Sequence, residues 1–296
     1  MSAYSSLFPI FQRHRALFGL VGTALFSSPL SAADWPPASW TETTPAFHIA
    51  GPIYYVGGRE LAAYLIHDEG CDVLVNVGME DNSALVQQSI YSLGFQPNDI
   101  DTILITQAHM DHAGGAENIS QASGAVVAGG AADVELMQRG GLQDYVFGDD
   151  LPFTAVSNTK ALNHGDEVQC GDHTLTTIAT PGHTPGGSSW RLRFPVENDG
   201  KSVMKTALLA GSVSVLSDAQ LIDNEHYPQV VSDFRSTYQR FEQEQFDYFL
   251  PDHLIFIDPR NGEAPKPAWF ENQEALAKIL QRSKKQLEKK LAEEAG

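Results

Sequence analysis

The sequence is poor in positive charge. It has 19 lysines and arginines against 37 aspartates and glutamates, which gives a formal net charge of −18. Nucleic acids and anionic membrane surfaces also carry negative charge, so a protein of this composition is repelled by both. We therefore expect neither as a partner. The charge balance bears on solubility and gives no information about the fold.

Cysteine is also scarce, because Cys71 and Cys170 are the only two in 296 residues. Their spacing matches neither the cysteine pairs of zinc sites nor the Cys-x-x-Cys pattern of redox sites. An oxidising compartment would permit a disulfide between them, but the sequence alone does not place the two together. Our prediction is that both are free or buried thiols.

Long apolar runs are absent as well. The run over residues 16–26 is too short for a membrane-spanning helix, which needs about 20 apolar residues. Two arginines precede this run and small residues follow it up to Ala33, which is the pattern of a secretory signal peptide. We expect residues 1–33 to be removed and residues 34–296 to form the mature, periplasmic or secreted domain. Its net charge would be −20, because two arginines and no acidic residue are lost.

Short apolar runs bounded by glycine and aspartate turns predict strands, and segments of helical spacing lie between them. The predicted strands cover residues 53–56, 62–66, 73–77, 103–106, 125–128, 174–179, 189–194, 206–210 and 247–250. The predicted helices include residues 82–93, a segment over 233–243 capped by Ser232, and a long amphipathic segment over 267–295. Residues 34–50 are predicted to be an extended lead-in. This alternation implies sheet covered by helices.

One predicted strand leads directly into a cluster of potential metal ligands. Residues 103–106 are followed by Gln107, His109, Asp111 and His112. Side chains two apart in an extended chain point the same way, so Gln107 and His109 can face one point. The next two ligands would approach that point after a turn. A polar surface loop is the alternative, but three strong ligand types and one weak one within six positions favour a metal site.

Two glycines and two distant histidines extend this pattern. Gly114 and Gly115 follow the cluster and permit a close backbone approach that larger residues would obstruct. A zinc site needs more donors than the cluster supplies. The candidates are His183, in Thr-Pro-Gly-His, and His253, in Leu-Pro-Asp-His.

Together these segments resemble the metallo-β-lactamase superfamily, whose pattern is His-x-His-x-Asp-His followed by two distant histidines. The resemblance covers nearly the whole chain after residue 40 and is most specific for subclass B3. It implies an α/β fold, the αβ/βα four-layer sandwich, with two β-sheets face to face and helices outside. The chain departs from the pattern at Gln107, where some subclass B3 members are similar. It also departs at Asn76, where the superfamily's Asp-x-Gly motif has Asp.

The resemblance implies two zinc sites. The first set of ligands would be Gln107, His109 and His183, and the second would be Asp111, His112 and His253. Zinc with three protein ligands keeps a position open for water and lowers the pKa of that water to about 7. By resemblance, Asp111 would also orient the attacking nucleophile. A neutral amide oxygen is a poorer zinc donor than an imidazole, so we expect the Gln107 site to be the weaker one.

Ser212 distinguishes between branches of the superfamily. Thioesterases and lactonases usually have a metal-bridging Asp after the glycine that stands here as Gly211, and a serine cannot bridge two zinc ions as a carboxylate does. Subclass B3 enzymes are similar in having Ser at this position. They have a second Ser two residues later, here Ser214, that binds a substrate carboxylate. The alternative for Ser214 is a turn residue with no role.

The expected function is zinc-dependent hydrolysis of the β-lactam amide of penicillins, cephalosporins and carbapenems by a metal-bound hydroxide. No Gly-x-Ser-x-Gly motif is present to supply a serine nucleophile. Two alternatives stay open: a lactone or thioester hydrolase on the same fold, and a non-catalytic periplasmic metal-binding protein. The sequence does not predict the oligomeric state. The aromatic residues of the loop over 139–155 either wall the pocket or pack in the core; they are Tyr145, Phe147 and Phe153.

Overall fold

The computed structural model describes residues 36–198, 200–258 and 263–296. The predicted signal peptide, residues 1–33, lies outside the described residues. Within these ranges twelve strands form two sheets, and helices pack against them. No helix in the same ranges is both long enough and apolar enough to cross a membrane.

The first sheet has seven strands that follow one another in sequence order. They are β1 (Phe47–Ala50), β2 (Ile53–Tyr55), β3 (Tyr64–Asp68), β4 (Cys71–Val75), β5 (Ile100–Leu104), β6 (Val126–Gly130) and β7 (Thr159–Leu162). Strands β1 to β4 pair antiparallel, whereas β4 to β7 pair parallel. This sheet is therefore mixed.

The second sheet has five strands in the spatial order β12-β11-β10-β9-β8. They are β8 (Glu167–Cys170), β9 (His173–Ala179), β10 (Ser188–Asn198), β11 (Lys201–Ala210) and β12 (Tyr248–Pro251). The pairing is antiparallel except between β11 and β12, which are parallel. The predictions missed β1, which lies within the supposed lead-in, and also β7 and β8.

The helices are α1 (Asn82–Ser92), α2 (Met110–Ala113), α3 (Ala116–Ser123), α4 (Ala131–Gln138), α5 (Val230–Phe241) and α6 (Gln273–Ala295). The predicted position of α1 is confirmed. The predicted cap of α5 is wrong, because Ser232 lies inside the first turn and its hydroxyl donates to the carbonyl oxygen of Gln229. Helix α6 begins later than predicted, after a 3₁₀ turn over Pro267–Trp269.

The alternation of side chains along the central strands explains the layers. In β4, Val73 and Val75 belong to the apolar core shared with the second sheet, whereas Leu74 belongs to the core under α1, α3 and α4. Both faces are buried, so residues 73–75 form a continuous apolar run, as is typical of the interior of a layered α/β fold. Helices α5 and α6 contribute Phe234 and Leu280 to the first of these cores. The predicted four-layer sandwich is confirmed.

A disulfide joins Cys71, the first residue of β4, to Cys170, the last residue of β8. The prediction of free or buried thiols is therefore wrong. The two cysteines lie 99 residues apart in sequence, but their Cα atoms are 5.4 Å apart in the fold. The stacking of the two sheets brings these strand ends together, and no local sequence pattern carries that information.

Candidate metal centre

The ligand cluster follows the carboxyl end of β5, where the chain leaves the sheet and turns into the short helix α2. The two glycines after this helix permit a close approach. A Cβ atom at Gly114 would lie 2.4 Å from the carbonyl oxygen of Met110, and one at Gly115 would lie 2.5 Å from Cγ1 of Val77. The predicted role of both glycines is confirmed, and the turn packs directly against the end of β4.

Asp111, His112 and His253 converge at one point. Oδ2 of Asp111 lies 3.3 Å from Nε2 of His112 and 3.3 Å from Nε2 of His253. The two imidazole nitrogens are 3.0 Å apart. These three donor atoms, which form the second predicted ligand set, therefore surround a position that a single metal ion could occupy.

The loop after β12 carries His253 to this point from 141 residues away in sequence. The backbone N–H of Ala62 donates to the carbonyl oxygen of Asp252, and the N–H of Leu254 donates to that of Glu60. These hydrogen bonds dock the end of β12 against the segment before β3. Oε1 of Glu60 also lies 3.9 Å from Nδ1 of His253, on the far side of its ring from the triad.

His109 and His183 also come together, with ring centroids 5.0 Å apart. His183 donates from Nδ1 to the carbonyl oxygen of Ser214 at 2.7 Å, which leaves Nε2 as its metal-binding atom. Nε2 of His109 lies 3.4 Å from Oδ2 of Asp144, which leaves Nδ1. Gln107 is buried, and its Nε2 donates to Oδ2 of Asp252 at 3.1 Å. The side chains of the first predicted ligand set are thus each held by a different partner.

The charges of the metal-free site reflect the close approach of its carboxylates and imidazoles. Burial alone would raise the pKa of Asp111, but the imidazoles of His112 and His253 hold it well below its usual value. Burial would lower the pKa of His253, but Asp111 and the other carboxylates nearby raise it to about 9. Burial and the adjacent His109 lower the pKa of His183 to about 3, so His183 is a neutral imidazole at neutral pH. A metal ligand requires that form.

Three buried carboxylates that the sequence did not predict contact the ligand segments, and Asp252 has been described above. Asp144 lies in the loop over 139–155 and accepts from the backbone N–H groups of Val146 and Phe147, while its Oδ2 faces His109. Burial alone would lower the pKa of His109, but Asp144 outweighs it and raises that pKa. A carboxylate behind a ligand imidazole fixes the orientation of the ring. Nothing in the local spacing around Asp144 indicated this role.

Asp133, in α4, joins the two ligand loops that precede and follow it in sequence. Its carboxylate accepts from the backbone N–H of Ala108 at 2.9 Å, the hydroxyl of Thr184 at 2.7 Å and the backbone N–H of Gly186 at 2.7 Å. Ala108 adjoins the cluster and Thr184 adjoins His183. One buried side chain therefore sets the separation of two segments that carry predicted ligands.

We expect Asp133→Asn to lower the free energy of unfolding by about 1–3 kcal/mol, because the amide NH₂ must face a donor that the carboxylate now satisfies. Urea unfolding of the metal-free protein measures this loss. The matched control is Asp218→Asn, which changes an exposed carboxylate and should leave stability unchanged. Equal stability of both variants would contradict a linking role for Asp133.

Asn76, which stands in place of the superfamily's Asp, supports the start of the ligand loop. Its Oδ1 accepts from the backbone N–H of Thr106 at 3.0 Å and from the hydroxyl of Thr106 at 3.1 Å. Its φ of 60° lies in the left-handed region, which Asn adopts more readily than most residues. The amide oxygen thus provides an acceptor for the ligand loop at this position.

Ser212 and Ser214 lie together in the loop after β11. Their hydroxyl oxygens are 2.9 Å apart, and the backbone N–H of Ser214 donates to Oγ of Ser212 at 3.2 Å. Oγ of Ser214 is also 3.2 Å from Nδ1 of His183. Both serines therefore lie beside the first predicted ligand set, and no carboxylate stands at position 212.

Aromatic side chains flank the ligands on two sides. The ring of Phe147 packs edge-on against His109 at 5.2 Å, and the ring of Trp40 lies 5.8 Å from His253. The hydroxyl of Tyr145 donates to the carbonyl oxygens of Gly182 and His183. Of the three loop aromatics that the sequence left undecided, Tyr145 and Phe147 contact the site, whereas Phe153 packs against the core under the helices.

Three histidines outside the predicted ligand sets have partners of their own. His67 pairs with Asp72 at 2.7 Å, and His173 lies 3.8 Å from Asp68. His48 bonds the carbonyl oxygen of Gly51.

The residues fit a zinc ion. One carboxylate and two imidazoles that converge without an intervening protein group are a donor set that zinc prefers. In the described residues Oε1 of Gln107 is buried and has no hydrogen-bond partner. Buried polar atoms in proteins nearly always have a partner, so this oxygen is available to a cation.

The sequence matches the Metallo-beta-lactamase superfamily over residues 56–194. Among solved structures, the chain is similar to a metallo-β-lactamase with a HARLDQ motif from Cronobacter sakazakii. The identity is 32%, the TM-score is 0.78, and the match covers 87% of this chain and 98% of that one. It is also similar to the class B3 di-zinc metallo-β-lactamase LRA-12 from an Alaskan soil metagenome. There the identity is 28%, the TM-score is 0.78, and the coverage is 86% and 97%.

Curated relatives match a shorter segment. The chain is 31% identical over 134 residues to the hydroxyacylglutathione hydrolase of Rhodobacter capsulatus, which covers 44% of this chain and 42% of that protein. It is 32% identical over 129 residues to the N-acyl homoserine lactonase AttM of Agrobacterium fabrum, with coverage of 42% and 47%. The match thus spans less than half the length of these curated relatives.

The chain belongs to the metallo-β-lactamase superfamily. Its structural neighbours are class B3 metallo-β-lactamases, which are hydrolases.

Proposed function

We propose that the protein is a zinc-dependent hydrolase of the β-lactam amide, with penicillins, cephalosporins and carbapenems as its substrate class. The observation that carries the proposal is the convergence of Asp111, His112 and His253, beside a loop that has Ser212 where a lactonase would have a bridging carboxylate. Gln107, His109 and His183 would hold a first zinc, and the convergent triad would hold a second.

Zinc in these positions would supply Lewis acidity toward the carbonyl oxygen and a water made nucleophilic at neutral pH. Asp111 stays ionised because its pKa lies well below its usual value, so its carboxylate can accept a hydrogen bond from the attacking water and orient it. Asp144 and the carbonyl oxygen of Ser214 hold the rings of His109 and His183 in place. Preorganised groups of this kind contribute to catalysis because they need no rearrangement during the reaction.

The substrate would lie between the aromatic rings that flank the ligands. Phe147 stands beside His109 and Trp40 stands beside His253, so an apolar bicyclic ring system could pack between two aromatic walls. Ser214 would donate a hydrogen bond to the substrate carboxylate, and its hydroxyl is held ready by Ser212. Ser212 would hold a water near the second zinc.

A second candidate is hydrolysis of a lactone or thioester. It is supported by the similarity to a lactonase and to a hydroxyacylglutathione hydrolase over less than half of this chain. The serine at position 212 argues against it, because a serine hydroxyl lacks the charge with which a carboxylate bridges two zinc ions.

We further propose that residues 1–33 are a signal peptide and that the mature enzyme works in the periplasm or outside the cell. The support is the charge and apolar pattern of this segment, together with the disulfide between Cys71 and Cys170. Disulfides persist in oxidising compartments and are rare in the cytosol.

The test is a parallel assay of one carbapenem, one penicillin and one N-acyl homoserine lactone, each with and without a metal chelator. We expect chelator-sensitive hydrolysis of the two β-lactams and little or no turnover of the lactone. Preferred hydrolysis of the lactone would support the second candidate. Tight metal binding without turnover of any of the three would instead indicate a metal-binding protein.

We expect Ser214→Ala to raise KM for β-lactams roughly 10-fold, because one hydrogen bond to a charged group is lost. The effect on kcat should be smaller. The carbonyl oxygen of Ser214 would still hold His183, so metal content should be unchanged. Steady-state kinetics and metal analysis check both statements, with Ser217→Ala in the same loop as the control. Unchanged kinetics would leave Ser214 a turn residue.

A further inference from the structure

Gln107, a predicted ligand of the first metal, forms a buried pair with Asp252. Their side chains are 2% and 1% exposed, and Nε2 of Gln107 donates to Oδ2 of Asp252 at 3.1 Å. The residues are 145 apart in sequence. Asp252 immediately precedes His253, and Gln107 lies two residues before His109. The hydrogen bond therefore joins the two segments that supply predicted ligands to different metal positions.

Each member of the pair has one oxygen left over. Oε1 of Gln107 and Oδ1 of Asp252 are buried and have no hydrogen-bond partner among the described residues. A buried carboxylate oxygen without a hydrogen-bond partner is costly, because its lost hydration is not replaced. A bound cation would satisfy Oε1 of Gln107, and the carboxylate of Asp252 would then lie one hydrogen bond behind it.

The pairing also fixes which end of the amide faces outward. A carboxylate can only accept hydrogen bonds, so the NH₂ group of Gln107 must face Asp252. The carbonyl end then points away from Asp252, and an amide oxygen is the end that can bind a cation. Without Asp252 the amide could rotate by half a turn and present NH₂, which does not bind metal.

We propose that Asp252 is a positioning residue that holds Oε1 of Gln107 toward the first metal. The Gln107–Asp252 pair would then replace the metal-binding imidazole that the superfamily pattern has at position 107. The ligands Gln107, His109 and His183 are all neutral, and Asp252 adds a negative charge directly behind the weakest of them. A carboxylate behind a metal-bound imidazole orients it and strengthens it as a donor, and the same physics applies to an amide. The inference rests on the metal centre of the proposed function and not on its substrate.

The experiment measures metal binding by the full mature chain in the absence of substrate. Metal-free protein is titrated with Zn²⁺ against a chromophoric chelator, which gives stepwise affinities. A parallel titration with Co²⁺ follows the absorption spectrum, which differs between a site with an Asp–His–His set and one with an amide and two imidazoles. The variants are Asp252→Asn, Gln107→Ala and the double variant.

Asp72→Asn is the matched control. Asp72 is also a buried carboxylate with one side-chain partner, His67, and it lies in β4, away from the ligand segments. Thermal unfolding of each metal-free variant shows whether it is folded. A variant that fails to fold is replaced by Asp252→Glu, which keeps the charge and should restore binding at least in part.

We expect Asp252→Asn to weaken binding at the Gln107 position by about 10–100-fold, the range known for carboxylates behind metal ligands, with less than about a 3-fold effect at the Asp111 position. In the Gln107→Ala background the same change should have little further effect, because Asp252 acts through the amide. The control should bind both ions as the unchanged protein does.

Three results would overturn the inference. The first is Asp252→Asn protein that binds both ions normally, which would make the pair purely structural. The second is an equal loss with and without Gln107, which would mean that Asp252 contacts the metal itself. The third is unchanged protein that binds a single ion. None of these depends on turnover, so an enzyme that failed the β-lactam assay could still support the role of Asp252.

Discussion

The Asp111→Asn variant is expected to lose metal at the position shared with His112 and His253 and to lose nearly all hydrolytic activity. The change removes the only anionic donor of this triad, and the new NH₂ group would face imidazole nitrogens that must themselves bind the metal. Substitution of a residue that contacts a metal ligand, and not the metal itself, already lowers metal affinity by about 10–100-fold. We therefore expect a loss of at least about 100-fold at this position.

Zinc titration of the metal-free protein and steady-state kinetics with a carbapenem measure this effect. Asp72→Asn is again the matched control, because Asp72 is a buried carboxylate paired with a histidine, 2.7 Å from Nδ1 of His67. Normal zinc affinity in Asp111→Asn protein would show that the convergent triad is not a metal site. Normal affinity with lost turnover would assign Asp111 to catalysis alone.

Removal of the disulfide has the largest effect expected on stability. The bond between Cys71 and Cys170 spans 99 residues of sequence, and closing a loop of that size is worth about 4–5 kcal/mol through the entropy of the unfolded chain. We expect the variant with both cysteines replaced by serine to lose about this much free energy of unfolding. Urea unfolding of the oxidised protein and of the variant gives the difference.

Reduction of the unchanged protein provides the control. A serine at position 170 is buried in the core between the sheets, so part of the variant's loss could come from its hydroxyl. A reducing agent breaks the same bond without that change and should lower stability by a similar amount, while it leaves the double variant unaffected. Unfolding that does not respond to reductant would contradict a stabilising role for the bond.

Helices and strands that are marked by the spacing of nearby apolar residues could be predicted. Helix α1 lies where the spacing of apolar residues placed it, and the central strands β3, β4 and β5 overlap their predicted ranges within a few residues. The buried, apolar strands were easy to find because both of their faces lie in the core. Strands β1, β7 and β8 were missed because they are short edge strands with exposed residues.

The ligands of the candidate site could be predicted from the sequence, whereas the residues that hold them could not. The ligand types over 107–112 were visible because a cluster so dense is unusual in a loop, and the pair of glycines beside it indicated a tight approach. The groups that hold those ligands were not visible. Asp133, Asp144 and Asp252 are ordinary aspartates in sequence, and their importance lies in what each one contacts.

The sequence by itself determined the residue types at the ligand positions, the alternation that builds two buried sheets, and the resemblance that predicts a zinc hydrolase. The tertiary structure decided three further things. Cys71 pairs with Cys170, His253 meets Asp111 and His112, and Gln107 is held by Asp252. Side-chain periodicity and turn preferences act over a few residues, whereas these contacts join positions from 99 to 145 residues apart. Such contacts depend on how the two sheets stack and on which loops meet at their edge.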